Sequence, residues 1–475
     1  MPGRRTHVTA SAAQSELATA LAVLRTALSL PDGFPAPVDS EAEAAASTIT
    51  LPDRDLTAIE FLTIDPVGST DLDQAVHIER AGDGFLVRYA IADVPALVRP
   101  GGAVDTEART RGQTVYAADG RIPLHPAAIG EHAGSLLPGV DRGAFVWELT
   151  LGEDGKELAV SVARAGIRSR RQWSYQEAQA AIDDGSGPET LLLLREVGLL
   201  RIQCERERGG ASLNAPDEEI VFRDGAYTLE RRAPLPVEEW NAQISLLTGM
   251  AAARLMLDAR VGILRTMPPP TDDAVAAFRA QTTALGLPWP QDVSYGEYLR
   301  TLDHHDPRAL AVMQAATGLF RGAGYVVMDG TAPADPLQSA VAAPYAHTTA
   351  PLRRLVDRWV LVICEALCAG RTPPEWATAS LGELPAIMGA TSRVASQLGA
   401  ASVDRVEAAL LSGRIGDEFD ATVLAIRNGD MTVQLADPAV VASMPRPDTV
   451  LPGTVVRVRL LSVSIPNGKV ELVAV

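Results

Sequence analysis

Apolar residues recur at a helical interval near the start of the chain: Leu17, Ala20, Leu21, Leu24, Ala27 and Leu28. Steps of three and four place them on one helix face, and Pro31-Asp32-Gly33 ends the pattern. Residues 39–47 (DSEAEAAAS) predict a second short helix with Asp39 or Ser40 as its cap. Together they make a small helical N-terminal module over residues 1–50. A helix-turn-helix is one reading of it, although the segment offers no basic recognition face. From 58 to 165 the pattern changes to short β-rich runs (AIEFLTID, QAVHI, GFLVRYAIADV, AFVWELTL and LAVSVARAGI) separated by turn residues. From 173 to 410 it is mostly helical. Long helices are predicted over 235–260, 350–369 and 382–411, with strands near Glu219–Phe222 and Tyr227–Glu230.

After Gly413 short alternating strands return, joined by Asn-Gly, Asp-Pro and Pro-Gly turns. About 60 residues of this kind suit a five-stranded barrel of the OB type. The segment holds six basic and seven acidic residues. Arg457 and Arg459 alternate on one strand and share a face, Arg427 and Lys469 sit at turns, and Phe419 is the one aromatic to offer as a stacking platform. Such a barrel either binds RNA or caps the structure. The expected architecture is therefore multidomain α+β: a helical module at 1–50, an α+β domain at 51–412 and a C-terminal OB-fold β-barrel at 413–475.

Composition narrows the classes. Hydrophobic residues make up 47% and charged residues 21%, which fits a soluble globular chain. The longest apolar run, Leu355–Ala369, is interrupted by Asp357, Arg358 and Glu365, so no membrane span is expected. Gln14, Ser15 and Glu16 break the N-terminal run too early for a signal peptide, and a cytoplasmic location is expected. Three cysteines, Cys204, Cys364 and Cys368, argue against a disulfide framework. The last two stand one helical turn apart in an apolar run and read as core packing rather than metal ligands. The net charge of −17 runs against the basic excess of most nucleic-acid binders. A local basic channel beside an acidic metal site is nevertheless compatible with that balance.

Chemistry concentrates in Thr63-Ile64-Asp65-Pro66-Val67-Gly68-Ser69-Thr70-Asp71-Leu72-Asp73-Gln74-Ala75. An apolar strand ends at Asp65, a turn comes next, and Asp71 and Asp73 stand two apart. In an extended segment both point to one side, and the turn can return Asp65 to them. Three carboxylates in one pocket repel unless a cation sits among them, which is how Mg²⁺ is held. Asp, Gly and Ser are also ordinary turn formers, so a plain turn is the competing reading.

This stretch resembles the signature of the RNase II (RNB) family: TIDP, a short turn, then D-x-D-D-A. Further segments come in the family's order. Tyr89-Ala90-Ile91-Ala92-Asp93-Val94 resembles its IADV strand. Thr114-Val115-Tyr116 with Ile122-Pro123-Leu124-His125-Pro126 is similar to its "svY…PMLP" segment. Tyr345-Ala346-His347-Thr348-Thr349-Ala350-Pro351-Leu352-Arg353-Arg354 is similar to its Y-x-H-F-T-S-P-I-R-R motif, and Arg265 stands where the family opens R-x-H-x-x-P. The resemblance spans about residues 52–400, and the trailing barrel agrees with the family's C-terminal RNA-binding domain.

The resemblance implies an RNB-type catalytic domain. Asp65 and Asp71 would be metal ligands, with Asp73 the carboxylate most critical to cleavage. Arg353 would contact the scissile phosphate, which suits a guanidinium fork; read from its place alone it could be a surface residue at a helix start. Tyr116 would stack on the nucleotide at the channel end, while Phe222 and Tyr175 match base-contacting positions, and Arg354 joins the substrate-binding set. His347 reads as a residue that orients its motif. There are three departures. Gln74 replaces the family's fourth aspartate, leaving a neutral oxygen as ligand. Asn241 is followed by Ala242-Gln243-Ile244-Ser245-Leu246 where the family has a Glu-Glu pair, which weakens the expectation of 2′-OH recognition. About 50 helical residues stand in place of two cold-shock domains, implying a wider channel mouth.

The implied activity is processive 3′-to-5′ hydrolysis of single-stranded RNA to nucleoside 5′-monophosphates, using Mg²⁺ (Mn²⁺ as an alternative), by a monomer. Structured RNA with a 3′ overhang is a second candidate substrate. The rival is a catalytically inactive RNA-binding protein that kept the fold.

Overall fold

The computed structural model describes residues 5–7, 11–118, 120–211, 217–223, 226–232, 234–303, 306–319, 321–427, 429–438, 440–447 and 450–475. The β-rich runs after residue 58 close into a barrel of five strands: Phe61–Asp65, Gln74–Ala81, Gly84–Ala92, Asp141–Leu151 and Glu157–Ser174. Neighbours are antiparallel except where the first strand meets the last, in parallel. Strand alternation decides which side chains go where. On Gly84–Ala92, Phe85, Val87, Tyr89 and Ile91 enter a core with Trp147, Trp240 and Trp359. Ala90 and Ala92 face the other way, onto Phe61, Leu72 and Val94.

The predicted long helices are present as Pro236–Ala259, Leu355–Cys368 and Leu384–Leu411. The first two pack on the barrel's larger core. Leu355–Cys368 is buried on nearly every side, including Asp357 and Arg358. Buried charges are tolerated only when paired. Arg358 meets Asp105 at 2.5 Å and donates to the Val98 carbonyl, while Asp357 takes Arg354. Two of the three charges that interrupt this apolar run thus fasten it in place. Among the described residues no helix is long and apolar enough to cross a membrane.

The N-terminal helices are Ser11–Ala27 and Ala36–Thr48, the second starting behind Pro35 rather than at an Asp39 or Ser40 cap. Pro37 stands in its first turn, where proline's fixed φ is suited. Residues 28–35 separate the helices, and they enter different cores. Leu17, Ala20 and Leu21 pack with Val406 and Leu410, while Val38 and Ala42 pack with Phe61 and Leu72. Two helices so divided lack the close pairing a helix-turn-helix requires. Strand Arg5–His7 joins a three-stranded sheet with Ala226–Arg232 and Asp217–Arg223.

The C-terminal strands run in the order Val441–Pro445, Asp430–Leu435, Glu418–Arg427, Val455–Ser464, Lys469–Ala474. The outer two lie against each other, so the sheet curls into a nearly closed barrel. Phe419 is buried in its core, with the Arg414 guanidinium 4.4 Å over its ring. It is a packing residue, not an exposed stacking platform. Arg457 and Arg459 do share a face, but Asp420 and Glu418 stand opposite in register and pair with them at 2.9 and 2.7 Å. All three cysteines are free; Cys204 and Cys364 are buried.

Candidate functional site

The first barrel strand ends at Asp65, in register with Ser174 on its parallel neighbour. Ser174 caps the helix Tyr175–Asp183, so Tyr175 begins that helix beside Asp65. The chain then turns through Gly68, whose φ of +83° is where glycine carries no Cβ penalty. Leu72 anchors the segment beyond the turn: its side chain is fully buried, its N–H donates to Ser135 Oγ at 2.9 Å and its carbonyl accepts from Leu136 at 3.0 Å. With Leu72 turned into the core, Asp71 and Asp73 point to the opposite side.

Asp73 is buried and holds the segment that carries Arg353. Its Oδ1 accepts from the Leu352 N–H at 2.8 Å, and its Oδ2 lies 3.4 Å from Arg353 Nε. Burial is the main force on its carboxyl, which Arg353 only partly offsets, and pushes its pKa up to about 7. Asp65 is pushed up to about 6, again chiefly by burial. Asp71 faces Arg121 at 2.5 Å, and Arg121 also reaches Glu131 at 3.0 Å. Tyr116 lies across a hairpin from Arg121, half exposed, with its hydroxyl against Arg353. Burial, with Asp65 adding to it, pushes the Tyr175 hydroxyl up to about 12. The structure thus brings Asp65, Asp71, Asp73, Arg353, Tyr116 and Tyr175 to one rim. The side chain of Phe222 lies outside the described residues.

Arg354 is committed elsewhere. Its Nε and Nη2 both bond Asp357 at 2.9 Å, and Asp357 Oδ1 also accepts from the Ala350 N–H at 2.7 Å. Asp357 is fully buried, so this fork fixes the loop rather than offering a free cation. Breaking such a pair strands a buried charge. Arg354→Ala is expected to cost about 3–5 kcal/mol of unfolding free energy, read as a lowered urea midpoint. His347 is partly buried with Nδ1 2.8 Å from the Tyr325 hydroxyl, and desolvation holds its pKa well below the usual value. The lowered pKa keeps it a neutral ring beside Tyr325.

Gln74 is engaged at both ends of its carboxamide. Nε2 donates to the Thr349 carbonyl at 2.6 Å, and Oε1 accepts from the Tyr89 hydroxyl at 2.6 Å. Asn241 lies on Pro236–Ala259, and that helix carries its own Glu-Glu pair, Glu238 and Glu239, in its first turn. Sequence reasoning missed Arg121, Asp357 and Thr349. Tyr116-x4-Arg121 across a Gly120 turn is the one local signal that could have paired Arg121 with the site.

The donor set suits a hard divalent cation. Among the described residues Asp65 Oδ2 is buried with no hydrogen-bond partner, and oxygen ligands from a few carboxylates plus water satisfy Mg²⁺. Among the described residues no three His, Cys, Asp or Glu side chains already converge on one point; Arg121 and Arg353 share the carboxylates. The two raised carboxyls set a pH dependence. Their folded pKa values exceed the unfolded 3.8, so the folded chain binds more protons between about pH 4 and 7, and their contribution to stability falls as pH rises through that window. Protein kept in chelator is expected to melt higher at pH 5.5 than at pH 7.5 on this account, and cation uptake at pH 6 to release protons into a weak buffer.

A family model for the RNB domain matches residues 37–369, and one for the RNase II-type exonuclease C-terminal S1 domain matches 417–475. The exosome complex exonuclease dis3 of Schizosaccharomyces pombe is 28% identical over 397 residues, 77% of this chain and 40% of that protein. Ribonuclease R of Escherichia coli is 29% identical over 331 residues, 64% of this chain and 39% of that protein. The chain thus spans less than half the length of these relatives. Mycoplasma genitalium RNase R in complex with ribose methylated single-stranded RNA shares the fold at a TM-score of 0.85 and 17% identity, over 97% of this chain and 78% of that one. Yeast Ssd1, a pseudonuclease, does so at 0.67 and 16% identity, over 87% and 54%. The chain belongs to the RNB family, with an RNase II-type C-terminal S1 domain behind its RNB domain.

Proposed function

We propose that this chain is a metal-dependent exoribonuclease that hydrolyses single-stranded RNA processively from its 3′ end and releases nucleoside 5′-monophosphates, acting as a cytoplasmic monomer. The observation that carries this reading is the shared rim of Asp65, Asp71, Asp73 and Arg353, reached from elements almost 290 residues apart. Asp65, Asp71 and Asp73 would hold Mg²⁺, with Mn²⁺ as an alternative. A cation there supplies an acidified water and neutralises phosphate charge. Arg353 turns one edge of its guanidinium toward Asp73, and the rest, beside the Tyr116 hydroxyl at the half-exposed rim, can meet a phosphoryl oxygen as charge develops. Tyr116 offers a half-exposed ring to a terminal base, and Tyr175 a hydroxyl beside Asp65. The relatives' names as exonucleases and ribonucleases support the same class.

A second reading, RNA binding without cleavage, rests on Gln74 in place of a family carboxylate and on likeness to a pseudonuclease. RNA labelled at its 3′-terminal nucleotide separates them. With Mg²⁺, the exonuclease releases labelled nucleoside 5′-monophosphate at once. A binding protein shifts the RNA in a gel and releases none.

A further inference from the structure

We infer that Gln74 is a positioning residue that clamps the Arg353 loop through the Thr349 carbonyl, rather than a ligand of the metal; this rests on the exoribonuclease reading. Besides the Thr114 N–H that donates to the Arg353 carbonyl at 2.9 Å, side chains grip the backbone of the loop from Thr349 to Arg354. Asp73 Oδ1 accepts from Leu352 N–H, Asp357 Oδ1 accepts from Ala350 N–H, and Gln74 Nε2 donates to Thr349 O at 2.6 Å. Adjacent residues where the strand Gln74–Ala81 begins therefore hold the loop with opposite polarity, a carboxylate for an N–H and an amide N–H for a carbonyl. The amide can fill the second role and an ionised aspartate cannot, since it has no proton to donate.

The other end of Gln74 is equally fixed. The Tyr89 hydroxyl donates to Oε1 at 2.6 Å and stands 2.8 Å from Ser245 Oγ on helix Pro236–Ala259. With Tyr89 donating to Gln74, Ser245 is left to donate to Tyr89. The result is a directed chain from Ser245 to Tyr89 to Gln74 to Thr349, crossing the barrel from a core helix to the Arg353 loop. Tyr89 is buried, so water cannot replace its partner cheaply. A carboxylate at position 74 would face the Thr349 carbonyl with a second acceptor. The departure from the family's fourth aspartate is therefore built into this chain's loop support, and restoring the aspartate is expected to impair the site.

The test combines metal binding with a double-mutant cycle on the full chain. Gln74→Met keeps the length and removes both polar ends. Mn²⁺ affinity, read by electron paramagnetic resonance, is expected to stay within about threefold of wild type, while nucleotide release falls about 30-fold because Arg353 is displaced. In an Arg353→Ala background the same change is expected to cost less than about threefold further, since the residue it positions is gone. Tyr89→Phe, which leaves the Thr349 bond in place, is expected to show the same cycle at smaller amplitude and serves if Gln74→Met fails to fold. Mn²⁺ affinity lower by about tenfold or more, or full additivity with Arg353→Ala, overturns the inference. A wild type that binds Mn²⁺ and RNA but releases nothing overturns the exoribonuclease reading instead, and the Mn²⁺ arm still decides whether Gln74 is a ligand.

Discussion

Asp73→Asn is expected to lower nucleotide release by about 10³-fold or more while leaving RNA affinity within a few fold. The substitution is nearly isosteric, and an asparagine oxygen can still accept from the Leu352 N–H. What changes is the other edge. In wild type an acceptor faces Arg353 Nε at 3.4 Å; in the variant an amide N–H faces a guanidinium, donor against donor. The site also loses one of three carboxylates able to hold a cation. Because Asp73 is buried, solvent screens little of this loss. The effect belongs in the rate of the chemical step, so single-turnover cleavage and binding by fluorescence anisotropy should separate cleanly. A variant that binds RNA poorly and cleaves what it binds at the wild-type rate would place Asp73 in substrate capture instead.

Arg353 carries the second largest effect. Arg353→Ala is expected to slow single-turnover cleavage by about 10²–10³-fold, and Arg353→Lys to recover only a small part of it. The side chain is almost half exposed at the rim, while the carboxylate beneath it is buried. It can therefore keep Asp73 as a support and still present donors outward. Lysine supplies a charge but no fork, and cannot serve a buried carboxylate and a phosphoryl oxygen in two fixed directions. Equal rates for Arg353→Lys and wild type would reduce the residue to a counter-charge. Arg354 is no substitute, because both its bonded nitrogens are spent on Asp357.

Much of this was legible in the sequence because it rests on local patterns. The helices predicted at 235–260 and 382–411 fold as Pro236–Ala259 and Leu384–Leu411, since a sustained 3.6-residue period survives any tertiary context. The facing of Asp71 and Asp73 came from their two-residue spacing with Leu72 between them. What the sequence did not show depends on partners distant along the chain. Gln74 reads as a neutral ligand until Thr349, 275 residues on, is seen accepting its N–H. Arg354 reads as a substrate-binding residue until the loop folds its guanidinium onto Asp357. Phe419 reads as a platform because alternation alone does not say which barrel face is inner, and Arg457 and Arg459 look basic until strand register sets Asp420 and Glu418 across from them.

The most direct test uses a single-stranded RNA labelled at its 5′ end, incubated with Mg²⁺ and either wild type or Asp73→Asn. The expected result is collapse of the full-length RNA to one short labelled product with wild type, and intact RNA with Asp73→Asn. Labelled RNA that stays intact with both proteins while shifting in a gel would contradict hydrolysis at this site and leave a binding protein on an RNB fold.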